Sequence, residues 1–340
     1  ARRARSRVLS GRAGIRTGAR IGTGPSLVTD PARRATVRTL LGLAAGASLP
    51  GCAYRSLPFA DFQPALYRVC ADSASCGAWL FGSIHIGLSR FYPLPEPVEQ
   101  AWQSSRRLAC EINAGQNYEQ LREAFRARAL LPEGQSLEHF IDEPTLTALR
   151  RHFGMGVHEW QSRLRLQPWA LSTMLISQDD TRLAAQPGMG LDAYFLGRAR
   201  ALQRPIIELE ELEEQVEALA GGSLTEQAAQ LADRFRRIGE WDRPLSDIVD
   251  AWRRGDDARL AALKARSFGD GGRLLALRRR MFGERDERMA RRLLQVMQAP
   301  GDVFALVGAL HLVGEDSLQH ALREQGATVE RVRYGSAMTT

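Results

Sequence analysis

The sequence predicts an α/β protein, with a mixed central sheet assembled from strands near both ends of the chain and a large helical insertion between them. Three observations carry this. Short apolar runs occupy residues 65–84 and 108–112 on one side and residues 303–307 and 328–332 on the other. Over about residues 115–300 the apolar residues recur instead at three- and four-residue spacing. A seven-residue pattern ending beyond a histidine occurs once in each terminal block.

Taken in order, Ala65–Val69 and Trp79–Ile84 read as the two strands of a hairpin, with Cys70 and Cys76 bracketing its polar turn. Pro93–Arg107 is amphipathic, with Val98, Ala101 and Trp102 on one side, and Leu108–Ile112 is a short strand. Asp142-Glu143-Pro144 opens a helix that Gly154 closes, and Pro168-Trp169 opens another. Ser223-Leu224-Thr225-Glu226 is a capping box ahead of Ala228–Ile238. Pro205–Leu209 is a strand inside the helical region, and Leu274–Met297 reads as one long Arg-rich helical stretch. Val303–Val307, Ser317–Glu324 and Thr328–Val332 then alternate as strand, helix and strand.

Charge is unevenly distributed. Residues 1–38 carry ten arginines and one acid, Asp30, a net +9, so a chain whose total is +7 keeps −2 for its remainder. Basicity belongs to the leader, and no nucleic-acid partner is expected. The uncharged run Thr39–Pro50 follows, twelve residues against the roughly 20 that a membrane-spanning helix needs. Basic flank, short apolar run and small residues form the layout of a secretory signal, and Arg33-Arg34 suits a twin-arginine signal. Leu49-Pro50-Gly51-Cys52 resembles a bacterial lipobox, in which Cys52 is lipidated. The expectation is an export leader over residues 1–52, one domain over residues 53–340, and a place in the periplasm or cell envelope, with Cys52 as a lipid anchor to the membrane. In an oxidising compartment Cys70 and Cys76 are expected to bridge the hairpin, and their spacing is no zinc signature.

The near-repeat is the strongest functional signal. Leu80-Phe81-Gly82-Ser83-Ile84-His85-Ile86 matches Leu306-Val307-Gly308-Ala309-Leu310-His311-Leu312: an apolar strand running into Gly-x-x-His. Gly82 and Gly308 permit close backbone approach. Each histidine emerges near the carboxyl end of a strand, where open α/β sheets place their ligands. One such motif is more simply a packed core histidine; duplication of the whole pattern favours one shared site. Glu111 and Glu210 each end a predicted strand and could serve as ligand, general base or cap. Two imidazoles and a carboxylate can hold a divalent ion with an open position for water, and a second carboxylate can take the proton of that water.

His139, His152, His158 and His320 have no neighbours at ligand spacing and are expected at the surface or in packing, as are Trp102, Trp160, Trp169, Trp241 and Trp252 in the core. Gly188-Met189-Gly190 reads as a helix-entry turn. P-loop, α/β-hydrolase serine and zincin motifs do not occur.

The paired Gly-x-x-His motifs, Glu111, Leu209-Glu210 with Gln215, Pro168-Trp169, Trp252 with Gly255-Asp256, and Glu284-Arg285-Asp286 together resemble the TraB/GumN family over residues 60–335. That family includes TIKI metalloproteases and is related to erythromycin-esterase and ChaN-like folds. The resemblance implies a divalent-metal-dependent peptidase, with manganese or cobalt rather than zinc. His85 and His311 would lie at its centre with Glu111 or Glu210 as carboxylate partner, and Arg285 would clamp a substrate carboxylate or oxyanion. Arg285-Asp286 departs from the family's usual Arg-Asn. The expected activity is therefore metal-dependent hydrolysis of a peptide or small-molecule substrate by His85, His311, Glu111, Glu210 and Arg285. The alternatives are a periplasmic haem or small-ligand binding protein, as in ChaN, and a catalytically silent envelope protein.

Overall fold

The computed structural model describes residues 62–71, 76–113, 118–182, 190–238, 244–268 and 274–335. The expected leader with Cys52, and also Gly188, Met189 and Trp241, lie outside the described residues. No helix among the described residues is long and apolar enough to cross a membrane.

Six strands form one mixed sheet: β1 (Leu66–Cys70), β2 (Cys76–Ser83), β3 (Arg107–Cys110), β4 (Ile206–Glu208), β5 (Val303–Gly308) and β6 (Thr328–Arg331). They lie in the order β4-β3-β5-β2-β1-β6. The first four run parallel; β1 is antiparallel to β2, and β6 is antiparallel to β1. Strands from the two ends of the chain thus interleave, with β5 between β2 and β3, and the expected α/β fold with a helical insertion is what forms. Parallel strands buried on both faces explain the near-continuous apolar runs of β2 and β5. A disulfide joins Cys70 to Cys76 across the β1–β2 hairpin.

Side-chain alternation sends Trp79, Phe81, Leu108, Phe304 and Leu306 to one face, against α1 (Glu96–Ser104), α6 (Leu191–Ala201), α9 (Pro244–Arg254) and α10 (Asp257–Phe268). Tyr67, Leu80, Ala109, Ala305 and Val307 point the other way, against α12 (Gly283–Met297) and α13 (Leu318–Glu324). Within the helical middle a separate apolar cluster forms from α2 (Tyr118–Ala129), α3 (Glu143–His152), α4 (Val157–Arg163), α5 (Pro168–Arg182), α7 (Leu212–Ala220) and α8 (Leu224–Ile238). The insertion is therefore of two kinds: these six helices pack on one another, while β4, α6, α9, α10 and α12 join the sheet and its flanks. Local signals hold where they are strong. Asp142 caps α3, accepting from the Thr145 N–H at 2.9 Å, and Ser223 and Glu226 bond reciprocally ahead of α8.

Two features differ from the sequence expectation. The stretch 274–297 is not one helix: α11 (Leu275–Met281) and α12 meet at Phe282, whose backbone leaves the helical region and whose ring is buried. Burial of that ring against Phe268 and His311 is what the break secures. The two Gly-x-x-His segments are also not equivalent. They run side by side, but Gly82 lies opposite Val307 and Ser83 opposite Gly308, one residue out of phase. Because strand side chains alternate, corresponding residues of the repeat face opposite sides of the sheet. Leu80 and Leu306 accordingly sit in different clusters.

The end of β2 is held from the α9 side, where the buried Trp252 indole N–H donates to the Gly82 carbonyl at 2.8 Å. Trp252→Phe should cost about 1–3 kcal/mol, from the orphaned carbonyl and the smaller ring, with the secondary structure retained. Urea denaturation with far-UV circular dichroism of the two proteins checks this.

Candidate active site

β4, β3, β5 and β2 finish at one edge of the sheet, and each is followed by one of the expected side chains. Glu210 lies just past Glu208, Glu111 directly follows Cys110, His311 lies in the short 3-10 turn Ala309–Leu312, and His85 lies just past Ser83. Strand order places them in the sequence Glu210, Glu111, His311, His85 along that edge.

The histidines are unequal. His311 has a side chain only 7% exposed, and its Nδ1 lies 2.5 Å from Asp286 Oδ1 on α12. Its Nε2 turns toward Glu111 Oε1, 4.0 Å away. The His85 side chain is 57% exposed, with Nδ1 3.0 Å from Asp192 Oδ2 in the first turn of α6. The Ser83 hydroxyl donates to the other Asp192 oxygen at 3.1 Å. A carboxylate at Nδ1 keeps the proton there and leaves the lone pair of a neutral ring on Nε2, the arrangement of metal-ligating histidines. α6 reaches His85 because Gly190 lets the chain pass: a Cβ there would meet the His85 carbonyl oxygen at 2.2 Å.

The carboxylates share one guanidinium. Arg285 donates through Nε to Glu210 Oε1 and through Nη2 to Glu210 Oε2, both at 2.6 Å. Nη2 also reaches Glu111 Oε2 at 3.2 Å. The Gln215 amide spans the same two glutamates at 3.4 and 3.3 Å. The other Glu111 oxygen accepts the Gly308 N–H at 2.6 Å. Burial by itself would push the Glu111 carboxyl up, but the charges of His311, Arg285 and His85 and the Gly308 N–H outweigh it and hold it down to about 2. Asp286 is pushed up by burial against the pull of His311, Lys264 and Arg285.

His85, His311, Glu111, Glu210 and Arg285 therefore lie at one edge of the sheet, with contacts that differ from one another. Arg285, expected to clamp substrate, is turned onto the protein's own carboxylates. Glu210, expected as ligand or base, has both oxygens engaged by Arg285. The sequence does not single out Asp192 as a site residue, and it marks Asp286 only by its departure from Arg-Asn; each lies in the first turn of a helix. His139, His152 and His320 lie elsewhere, on Ser136, Phe235 and Glu324, while Trp102, Trp160, Trp169 and Trp252 are buried.

Among the described residues no three His, Cys, Asp or Glu side chains are gathered as a finished metal site. The donor chemistry nevertheless fits a divalent ion. The His311 and His85 imidazoles and the Glu111 carboxylate are nitrogen and oxygen donors of the kind that would hold such an ion.

A sequence profile of the TraB/PrgY/gumN family matches residues 65–331. The chain belongs to the TraB/PrgY/gumN family. This family member is 26% identical over 248 residues to YbaP of Escherichia coli, an uncharacterised protein, covering 72% of this chain and 87% of YbaP. It is 22% identical over 313 residues to metalloprotease TIKI2 of Xenopus tropicalis, covering 77% of this chain and 59% of that protein. No solved structure matches it.

Arg285→Met should destabilise the fold by about 3–5 kcal/mol, since Glu111 and Glu210 would remain buried side by side without their cation. Paired chemical denaturation curves of wild type and variant measure the difference.

Proposed function

We propose that this protein is an exported, divalent-metal-dependent hydrolase of peptides. The observation that carries the reading is the pair of imidazoles at neighbouring strand ends, each with Nδ1 on a carboxylate and with Glu111 beside them. In this reading His85, His311 and Glu111 hold the ion, with manganese or cobalt preferred over zinc. The ion when bound supplies Lewis acidity, polarising the scissile carbonyl and acidifying water.

The chain's own residues do the rest. Asp286 and Asp192 fix the two imidazoles, so that little is spent on orienting ligands when the ion arrives. Glu111 stays anionic because positive groups surround it, which suits a carboxylate meant to face a cation. Arg285 and Gln215 fix its Oε2, so Oε1 is the oxygen on the His311 side. Glu210 serves as the counter-ion that keeps Arg285 in place. The exposed side of the site is that of His85, and substrate enters there. The relationship to a metalloprotease, although distant, supports the reaction class. The Arg-rich leader and the Cys70–Cys76 disulfide support export, and Cys52 supplies the lipid anchor in this reading.

The purified full chain should bind one Mn2+ or Co2+ and cleave members of a peptide library. The double variant His85→Ala/His311→Ala should lose the ion and at least about a thousandfold in activity while remaining folded. Elemental analysis after gel filtration, alongside peptide cleavage by mass spectrometry, tests this; metal content unchanged in the double variant would sink the proposal.

A further inference from the structure

The chain carries 46 basic residues other than histidine, and Lys264 is its only lysine. That lysine is 1% exposed, on α10, beside the candidate site. Its Nζ lies 3.0 Å from Asp316 Oδ1 and donates to the Val313 carbonyl at 3.0 Å. It also stands 3.9 Å from the centre of the Phe282 ring. The centre of the same ring lies 5.1 Å from that of His311. We propose that Lys264 is a positioning residue for His311: its ammonium braces Phe282 against the imidazole and pins the segment that follows it.

Each part of that proposal has its own contact. Val313 and Asp316 lie shortly after His311 in sequence, and Asp316 is gripped a second time by Arg278, at 2.7 and 3.0 Å. The segment following the 3-10 turn is thereby tied to both α10 and α11. Phe282 occupies the break between α11 and α12, one turn ahead of Asp286, and the Asp286 N–H donates to the Phe282 carbonyl at 2.8 Å. Bracing the ring therefore also braces the carboxylate that orients His311. Lysine suits the place in a way arginine does not. A compact ammonium can face a ring and two oxygens at once, whereas a planar guanidinium needs a flat slot. Burial pulls Lys264 below its ordinary pKa, opposed by Asp316 and Asp286. A methionine would fill the same space without a charge.

The inference rests on His311 being a ligand of the proposed ion, and its test separates the two. In the metal-free full chain labelled with 13C-histidine, the ring resonances of His311 report its position; in parallel, Mn2+ binding is measured by calorimetry. Lys264→Met should move the His311 ring resonances, leave those of His85 in place, and weaken Mn2+ about tenfold or more, the usual penalty for losing an outer partner of a metal ligand. Lys264→Arg should not restore wild-type affinity. A folded Lys264→Met protein with unmoved His311 resonances and wild-type Mn2+ affinity would overturn the proposal. Should Lys264→Met fail to fold, Asp316→Asn keeps the ammonium but loosens its hold, and unmoved His311 resonances there overturn it equally. A wild-type protein that binds no Mn2+ defeats the metal reading alone, because the metal-free His311 resonances still decide the role of Lys264.

Discussion

Two glutamates leave the ends of neighbouring parallel strands, β3 and β4, whose backbones lie about 4.8 Å apart. Both are buried, and two adjacent buried carboxylates cannot stay ionised without a counter-charge. Arg285 supplies it, bidentate on Glu210 and singly on Glu111. Glu111 then remains an anion, its Oε2 held by Arg285 and Gln215 and its Oε1, which accepts the Gly308 N–H, facing His311. Arg285 is delivered there by the break at Phe282, which starts α12 afresh and brings Phe282, Arg285 and Asp286 to the site from a single turn of chain. One interruption in a helix thus supplies a ring against His311, a cation for the carboxylates and an anion for the imidazole.

The site draws on both faces of the sheet. α12 packs against the face carrying Leu80 and Val307 and brings Asp286 to His311; α6 packs against the face carrying Phe81 and Phe304 and brings Asp192 to His85. The one-residue offset between β2 and β5 fits this division. It also fits the unequal burial of the two histidines, one enclosed by helices and the other open to solvent. The His85 side chain is 57% exposed, whereas those of His311 and Glu111 are buried.

Much of this was legible beforehand because it rests on short-range pattern. Apolar runs ending in Gly-x-x-His marked the strands and their carboxyl ends, and Glu111 and Glu210 stood out as acids closing apolar segments. Their convergence follows from parallel strand order alone. What escaped was whatever depends on orientation between distant segments. Nothing in Asp192 or Asp286 distinguishes them from acids in any first helical turn, and Arg285 points to carboxylates rather than outward only because of where α12 begins. The offset of the repeat is a property of pairing, invisible when the two segments are aligned by their glycines. The break at Phe282 leaves no mark in the sequence, because the apolar periodicity of residues 274–297 continues across it. Lys264 carried a compositional signal, being the lone lysine among arginines, but its neighbours lie on α11, α12 and the segment after β5.

The central claim is that His85, His311 and Glu111 form one cation site whose imidazoles present Nε2. Anomalous diffraction from crystals grown with Mn2+, recorded on both sides of the manganese absorption edge, tests it most directly. The account predicts a single strong peak bounded by the Nε2 atoms of His85 and His311 and by a Glu111 oxygen, with Asp192 and Asp286 still on the Nδ1 atoms. A peak elsewhere, or no peak at these residues with the ion present in excess, would contradict it.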